Sequence, residues 1–447
     1  MRIVIAGVGE VGMYLAEMLN KSNHDIIIID PVKEKLNEVS NYFDLMTVHG
    51  SATSLETLQE AEVSNADLFI AVTRTQESNI ISSILAKKLG TKRTIARIDN
   101  NEYVKSEHRE IITELGIDSL VYPEILASDQ IVKIIKNPGI LKSIDFAEGK
   151  LTLMSIRVRK NLSIVGKSLI EITREYSDFN ARVVAISRGK ETIIPRGKDI
   201  IKDHDIIFLV VEARDRDKVK RIFKEKDFDI KNIMILGGSR IGIKTAQALE
   251  NDYYVKLFEK DRDKAVYLAD ILHNTLVIQA EARTADFLVD EGIERVDAFI
   301  SVTGNSEINI LTSLLAKQLG VRLTIAEVEN NDYLQLARKM DIDYLINKKL
   351  IAASHIFTHT IASNVIAVQT FTETQAEVLE FVVGPKAKIT RKPLKEINFP
   401  PGAIIGGGVR NGQAFIAVGD TIIQPGDKVV VFALPEVIEK VAKFFKG

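Results

Sequence analysis

A chain of 447 residues is too long for one hydrophobic core, and its length suggests about three domains. Hydrophobic content of 46% and charged content of 27% are those of a globular protein, and a formal net charge of −2 argues against a nucleic-acid binder that relies on bulk positive charge. With no cysteine the chain has no disulfide, thiolate nucleophile or Cys-ligated metal. No apolar run approaches the ~20 residues of a membrane span, and Met1 leads directly into a first strand, so the chain reads as cytosolic.

The first thirty residues read as strand, glycine turn, helix, strand, acid. Arg2–Ala6 is a short apolar run suited to a strand buried on both faces of a parallel sheet. In the turn Gly7-Val8-Gly9-Glu10-Val11-Gly12, Gly7 suits a tight bend, Gly9 lets backbone approach a pyrophosphate, and Gly12 lets the next helix pack closely. That helix starts near Glu10 and turns its unpaired N–H groups toward the phosphates. Asp30, eighteen residues after Gly12, ends the second strand, where a carboxylate accepts hydrogen bonds from a ribose diol and repels a 2′-phosphate. NAD or an adenine nucleotide therefore fits better than NADP.

The alternation continues. Asp44–His49, Leu68–Val72, Arg93–Ile98 and Ser119–Tyr122 read as strands, with helices at Val32–Tyr42, Leu55–Ala61, Glu77–Leu89 and Glu102–Leu115. This is the rhythm of an α/β doubly wound parallel sheet, a Rossmann-like lobe whose ligands sit beyond the strands' carboxyl ends. Gly50-Ser51-Ala52-Thr53 ends the third strand with small residues that admit an adenine or ribose. Thr73-Arg74 follows the fourth and Arg97 ends the fifth, each arginine being suited either to a phosphate or to a surface salt bridge.

A helix from Pro123 to Lys136 ends at Asn137-Pro138-Gly139. Then Leu151–Val158, Ala181–Ser187, Thr192–Pro195 and Ile206–Val211 read as strands, with helices near Ser168–Tyr176 and Asp215–Lys226, a small α+β module. The whole arrangement recurs. Gly237 follows Gly7 by 230 residues (237 − 7), and at that offset Asp67, Thr73, Asn79 and Tyr103 meet Asp297, Thr303, Asn309 and Tyr333. The offset falls to 225 by Asp118 and Asp343. Four segments result: a lobe at 1–136, a module at 137–228, a lobe at 229–360 and a module at 361–447.

In the second lobe Ser239 stands for Gly9, which should tighten the backbone's approach to a ligand, and Glu259 stands for Asp30. Glu281 and Glu327 stand for Ser51 and Arg97, and as anions they oppose a phosphate there. That crevice is expected to bind nucleotide weakly, differently or not at all. His355 and His359 lack a third ligand and read as a helix surface, so no metal site is expected. Lys167-Ser168-Leu169 and Lys392-Pro393-Leu394 read as helix starts, and Gly402 to Gly408 as a flexible loop.

The turn at Gly7–Gly12, Asp30, Gly50–Thr53, Ala71-Val72-Thr73 with Glu77 and Asn79, and Ile95-Ala96-Arg97 together resemble the regulator-of-potassium-conductance (RCK) domain family. In tandem over all 447 residues, they resemble the cytosolic regulatory subunits of Trk-type potassium uptake systems. The resemblance implies NAD(H) or ATP/ADP bound in the first lobe by Gly7, Val8, Gly9, Glu10, Val11, Asp30, Ser51, Ala52, Thr73, Arg74 and Arg97, with Glu259 the matching acid of the second. It also implies a homo-oligomer held at the inner face of the cell membrane by a TrkH-type integral membrane subunit. The alternative is an NAD-dependent oxidoreductase. That activity needs an acid/base group over the nicotinamide, whereas no cysteine or well-placed histidine stands at the first crevice and the following modules are small. A regulator, not an enzyme, is the expected outcome.

Overall fold

The computed structural model describes residues 1–20, 24–146, 149–160, 162–176, 180–189, 191–223, 229–358, 368–370 and 376–446. Met1–Ile135 with Asp229–Thr360 forms one compact unit, and Lys136–Phe228 with Ile361–Gly447 a second.

Lobe 1 of the first unit runs β1 (Arg2–Ala6), α1 (Glu10–Asn20), β2 (Asp25–Asp30), α2 (Lys33–Tyr42), β3 (Met46–His49), α3 (Leu55–Glu60), β4 (Leu68–Ala71), α4 (Gln76–Leu89), β5 (Arg93–Arg97), α5 (Arg109–Glu114), β6 (Ser119–Val121) and α6 (Pro123–Lys136). Its strands pair in parallel in the order β3-β2-β1-β4-β5-β6. Ile3, Val4, Ile5 and Ile27 to Ile29 are wholly buried, as strands covered by helices on both faces must be. The order reverses between β1 and β4, and the crevice opens at their carboxyl ends. The helix expected over Glu102–Leu115 is instead two 3₁₀ turns and the short α5, because Lys105 is extended (φ −62°, ψ 141°) and interrupts it.

Lobe 2 repeats the plan. It contains β12 (Asn232–Leu236), α9 (Arg240–Leu249), β13 (Tyr254–Glu259), α10 (Arg262–Ile271), β14 (Thr275–Gln279), α11 (Ala285–Asp290), β15 (Ala298–Ser301), α12 (Ser306–Gln318), β16 (Leu323–Glu327), α13 (Asn331–Ala337), β17 (Tyr344–Ile346) and α14 (Lys348–Thr358), and its sheet order is β14-β13-β12-β15-β16-β17.

The lobes complete each other's packing. Ala352, Ala353, Ile356 and Phe357 of α14 lie in the same buried cluster as Ile3, Ile5, Leu15, Leu19 and Ile28 of lobe 1. Reciprocally, α6 of lobe 1 reaches α9, where the buried hydroxyls of Ser128 and Thr245 lie 3.2 Å apart.

In the second unit, β7 (Ile140–Phe146), β8 (Leu151–Arg157), α7 (Leu169–Glu175), β9 (Ala181–Arg188), β10 (Glu191–Ile193), β11 (Ile206–Glu212) and α8 (Arg216–Phe223) form the first module. Its antiparallel sheet has the order β10-β9-β11-β8-β7. Ser168 starts α7 with a capping box closed by Glu171. β7 is not evident in the sequence pattern, because its pairing is broken by a register shift between Ile140 and Lys142. The end expected for α8, residues 224–226, lies outside the described residues.

The second module holds β18 (Val368–Thr370), β19 (Glu377–Val382), β20 (Ala403–Arg410), β21 (Gln413–Ile416), β22 (Lys428–Ala433) and α15 (Ile438–Phe445). Two expectations fail here. Lys392-Pro393-Leu394 opens only a 3₁₀ turn, Leu394–Glu396, with no side-chain cap. Gly402 to Gly408 is no flexible loop, since Gly406, Gly407 and Gly408 lie within β20. A Cβ at Gly406 would come within 2.7 Å of Val210 in the other module, so these glycines serve close packing. Phe208 and Phe432 meet in that shared core with ring centroids 5.4 Å apart.

The helix exchange predicts that Ile356→Ala, at a wholly buried site, destabilises the chain by about 2–5 kcal/mol. Urea unfolding reads this as a lower midpoint at unchanged slope, and hydrogen exchange should quicken in α1, far away in sequence. Unaltered exchange in α1 would contradict a shared core.

Candidate functional site

The glycine turn separates scaffold from open space. Gly7 has φ +107°, and a Cβ there would lie 2.8 Å from the backbone of Thr73. One at Gly12 would lie 1.9 Å from the Gly7 carbonyl oxygen. Gly9 is exposed, and a Cβ added to it meets nothing within 4 Å. Beside this space α1 begins; its first turn leaves the N–H groups of Glu10, Val11 and Gly12 without intrahelical acceptors. The side chains of Val8 and Val11 belong to the core, so these residues present only backbone to the crevice.

Asp30 is 6% exposed. Its Oδ2 accepts the Val8 N–H at 2.7 Å and its Oδ1 the Val32 N–H at 2.9 Å. The carboxylate thus braces the glycine turn while each oxygen keeps a lone pair for a further donor. Reading the sequence for a ribose contact alone missed this second role.

The other expected residues are scattered around the same strand ends. Ser51 is exposed and its hydroxyl meets that of Thr53 at 2.8 Å, whereas the Ala52 side chain is buried in the lobe core. Gly50 makes no ligand space, because a Cβ there would lie 2.3 Å from the Thr57 hydroxyl. Arg74 is exposed and Arg97 half-buried, and neither guanidinium has an ion-pair partner among the described residues. Thr73 is held by Asn79, a wholly buried side chain that was legible only as part of a helix start. Asn79 Oδ1 accepts the Thr73 N–H at 2.7 Å and hydroxyl at 2.6 Å, and its Nδ2 donates to the Arg97 carbonyl at 2.9 Å.

In lobe 2 the same frame is fitted out differently. Asn309 repeats the clamp on Thr303 and Glu327. Ser239 puts a side chain where Gly9 has none, and its hydroxyl accepts the Gly242 N–H at 3.2 Å, capping α9. Glu259 accepts the N–H groups of Gly238 and Asp261 and pairs with Lys264 at 3.0 Å. Burial pushes its carboxyl up, but the Asp261 N–H and the Lys264 ammonium prevail and hold it below the usual range. Glu281 pairs with Arg283 at 2.8 Å.

Glu327 is not a free anion of the crevice, because it is 3% exposed and lies 3.4 Å from Lys348. Lys348 bonds Glu329 more closely, at 2.5 Å, and approaches Glu124 at 3.9 Å. Lys349 joins Glu329 at 3.0 Å to Glu10 of lobe 1 at 2.9 Å. Glu10, at the mouth of the first turn, thus borders a polar cleft of about 460 Å³ lined chiefly by lobe 2, including Asn305, Glu329, Tyr333 and Lys349. Burial raises the Glu327 carboxyl to about 7, against the smaller pull of Lys348, whose charge is shared with Glu329. His355 is lowered by burial, His359 lies outside the described residues, and no group of metal-ligating side chains is found among the described residues.

The family model described as the TrkA-N domain matches residues 3–123 and 233–348, and that of the TrkA-C domain residues 153–224 and 378–446. The Trk system potassium uptake protein TrkA of Vibrio alginolyticus is 33% identical over 97% of this chain and 95% of its own length. The TrkA homolog of Archaeoglobus fulgidus is 32% identical over the whole of both chains. Among solved structures, a GsuK RCK domain aligns with TM-score 0.63 at 16% identity over 99% of this chain and 94% of its own. A structure described as the GsuK channel bound to NAD aligns with the same score at 15% identity over 99% and 78%. These alignments establish two RCK-type Rossmann lobes in tandem. The curated relatives are named for potassium uptake, which sets the oxidoreductase alternative aside.

Glu327 supplies a pH signature. Its native affinity for a proton exceeds that of an unfolded glutamate at 4.5, so the native state holds the extra proton between about pH 4.5 and 7. The contribution of this group to stability therefore falls as pH rises through that window, by an amount on the order of 3 kcal/mol. Glu327→Gln should flatten the decline, measured as the difference in unfolding free energy between parent and variant at several pH values. A difference independent of pH would show that the carboxyl is ionised throughout.

Proposed function

Because the chain belongs to the TrkA family, we propose that it is a regulatory subunit that binds NAD(H), or else ATP/ADP, in the lobe 1 crevice and gates a TrkH-type membrane potassium transporter by ligand-induced rearrangement. The observation that carries this reading is the free space at Gly9 beside the start of α1, in a turn braced by Asp30. A pyrophosphate would bind the N–H groups of Glu10 and Val11, with Gly7 and Val8 shaping the turn. Asp30 would receive a ribose diol, Ser51 and the backbone of Ala52 would border the base, and Thr73, Arg74 and Arg97 would meet the rest of the ligand. A fold neighbour described as bound to NAD supports the choice of ligand.

The nucleotide supplies no chemistry here. It acts through unequal affinity for two arrangements of the protein, which is the only way a ligand shifts such an equilibrium. In lobe 2 the Ser239 cap and the Glu259–Lys264 pair oppose the same pose, and a weaker or altered site is proposed there. No helix among the described residues is long and apolar enough to cross a membrane. A cytoplasmic homo-oligomer, peripheral at the inner membrane face through its TrkH-type partner, completes the proposal.

Gly9→Val should reduce affinity for NADH and ATP about tenfold or more while the melting temperature stays within about 2 °C, since the new side chain starts in open space. Calorimetric titration with NAD⁺, NADH, ATP and ADP, with mass per particle followed, is the test; retained affinity sinks the proposed pose. Asp30→Ala is less discriminating. It also releases the Val8 and Val32 N–H groups, so it should lower stability by about 1–3 kcal/mol in addition to weakening binding.

A further inference from the structure

The two lobes meet through equivalent elements, yet the residues at most of the meeting points differ in character between the copies, the acid shared by Asp99 and Glu329 being retained. At the repeat offsets Glu10 corresponds to Arg240, Asp99 to Glu329, and Pro123-Glu124 to Lys348-Lys349. One rim joins acidic Glu10 at the start of α1 to basic Lys349 at the start of α14, 2.9 Å apart. The opposite rim joins basic Arg240 at the start of α9 to acidic Asp99, 3.2 Å apart, and the field of Glu124 adds to that of Asp99 on the Arg240 guanidinium. The sense of the charges is reversed from one rim to the other.

The apolar part of the contact carries a second difference. Thr245 of α9 corresponds to Leu15 of α1, and Ser128 of α6 to Ala353 of α14. Across one half of the contact two buried hydroxyls satisfy each other, Thr245 to Ser128 at 3.2 Å. Across the other half Leu15 and Ala353 share an apolar cluster.

We propose that these substitutions form a pairing code, by which the face made by α1 and α6 accepts the lobe 2 type and rejects the same face of a second copy of this chain. A lobe 1 to lobe 1 pairing of the same geometry would set Glu10 against Asp99 and Glu124, twice. A lobe 2 pair would set Arg240 against Lys349 in place of Glu124 and Lys348 in place of Pro123, with Glu329, in place of Asp99, already held by those same lysines. Each would also separate the two hydroxyls, leaving a buried one facing a leucine or an alanine. Like charges in contact and unpaired buried polar groups are the means by which interfaces reject wrong partners. Because duplicated lobes keep the same backbone plan, only such differences prevent copies from joining through identical faces into mixed assemblies.

Glu10→Lys tests the code. It removes the repulsion within a lobe 1 pair and places the introduced lysine beside Asp99 and Glu124 of the other copy. Mixed light and heavy isotopic full-length chains are treated with a carbodiimide, which couples touching amines and carboxylates, and the products are mapped by mass spectrometry without nucleotide. The parent should give Glu10–Lys349 links within one isotope. The variant should give mixed-isotope links from position 10 to Glu124 or Asp99, and adding Lys349→Glu should cut them about tenfold by restoring the native pairing. Absence of mixed links in a folded Glu10→Lys chain overturns the proposal. If that variant does not fold, folding of the double variant with links from position 10 to position 349 within one isotope supports it, and failure of both overturns it.

Discussion

Ala352, Ala353, Ile356 and Phe357 leave the lobe whose strands precede them and are buried against lobe 1, in the cluster that holds Leu15 and Leu19. This exchange ties a helix begun near residue 348 to a strand begun at residue 2. The lobe 1 sheet is not fully covered by its own segment of chain, so displacement of lobe 2 would expose apolar surface to water. The position of Glu10 follows from this packing: Lys349, carried in on α14, meets it at the mouth of the glycine turn.

Duplication lets maintained parts be told from altered ones within one chain. Lys87, Thr94 and Asp118 recur as Lys317, Thr324 and Asp343, and in both lobes the lysine bonds the aspartate while the aspartate accepts the threonine N–H. In the modules Arg188 grips Asp205 by two bonds, as Arg410 does Asp427. Each of these groups fastens one strand or turn to its neighbour. The altered positions are of another kind, Gly9 to Ser239, Arg97 to Glu327 and Glu10 to Arg240, and they gather at the crevices and at the contact between lobes.

The parallel sheets were legible because buried strands write themselves as apolar runs and each βα turn carries its glycines. Gly7, Gly9, Gly12 and Asp30 could be assigned from spacing, since the turn and the strand end are local. What stayed hidden was set by distant partners. Asn79 looks like any polar residue near a helix start until its amide is found on the Arg97 carbonyl. Glu327 looked like a crevice anion because Lys348, twenty-one residues on in sequence, is brought beside it only by the pairing of β17 with β16. Gly406 to Gly408 looked like a loop because what requires glycine there is distant in sequence, Val210 of the other module at Gly406 and the Phe415 and Lys428 carbonyls at Gly407 and Gly408. The break at Lys105 and the bulge that disguises β7 are local, but they depart from the periodicity by which helices and strands are recognised.

The amide of Asn79 has a mechanical consequence. By gripping the Thr73 backbone on one side and the Arg97 carbonyl on the other, it sets the gap between the ends of β4 and β5 beneath the crevice. Spreading those strands would strand a wholly buried amide without partners, a penalty larger than the gain from a single new contact. The floor of the crevice is therefore stiff. A change in the shape of the crevice is left to its rim, where Glu10 meets Lys349 of the other lobe.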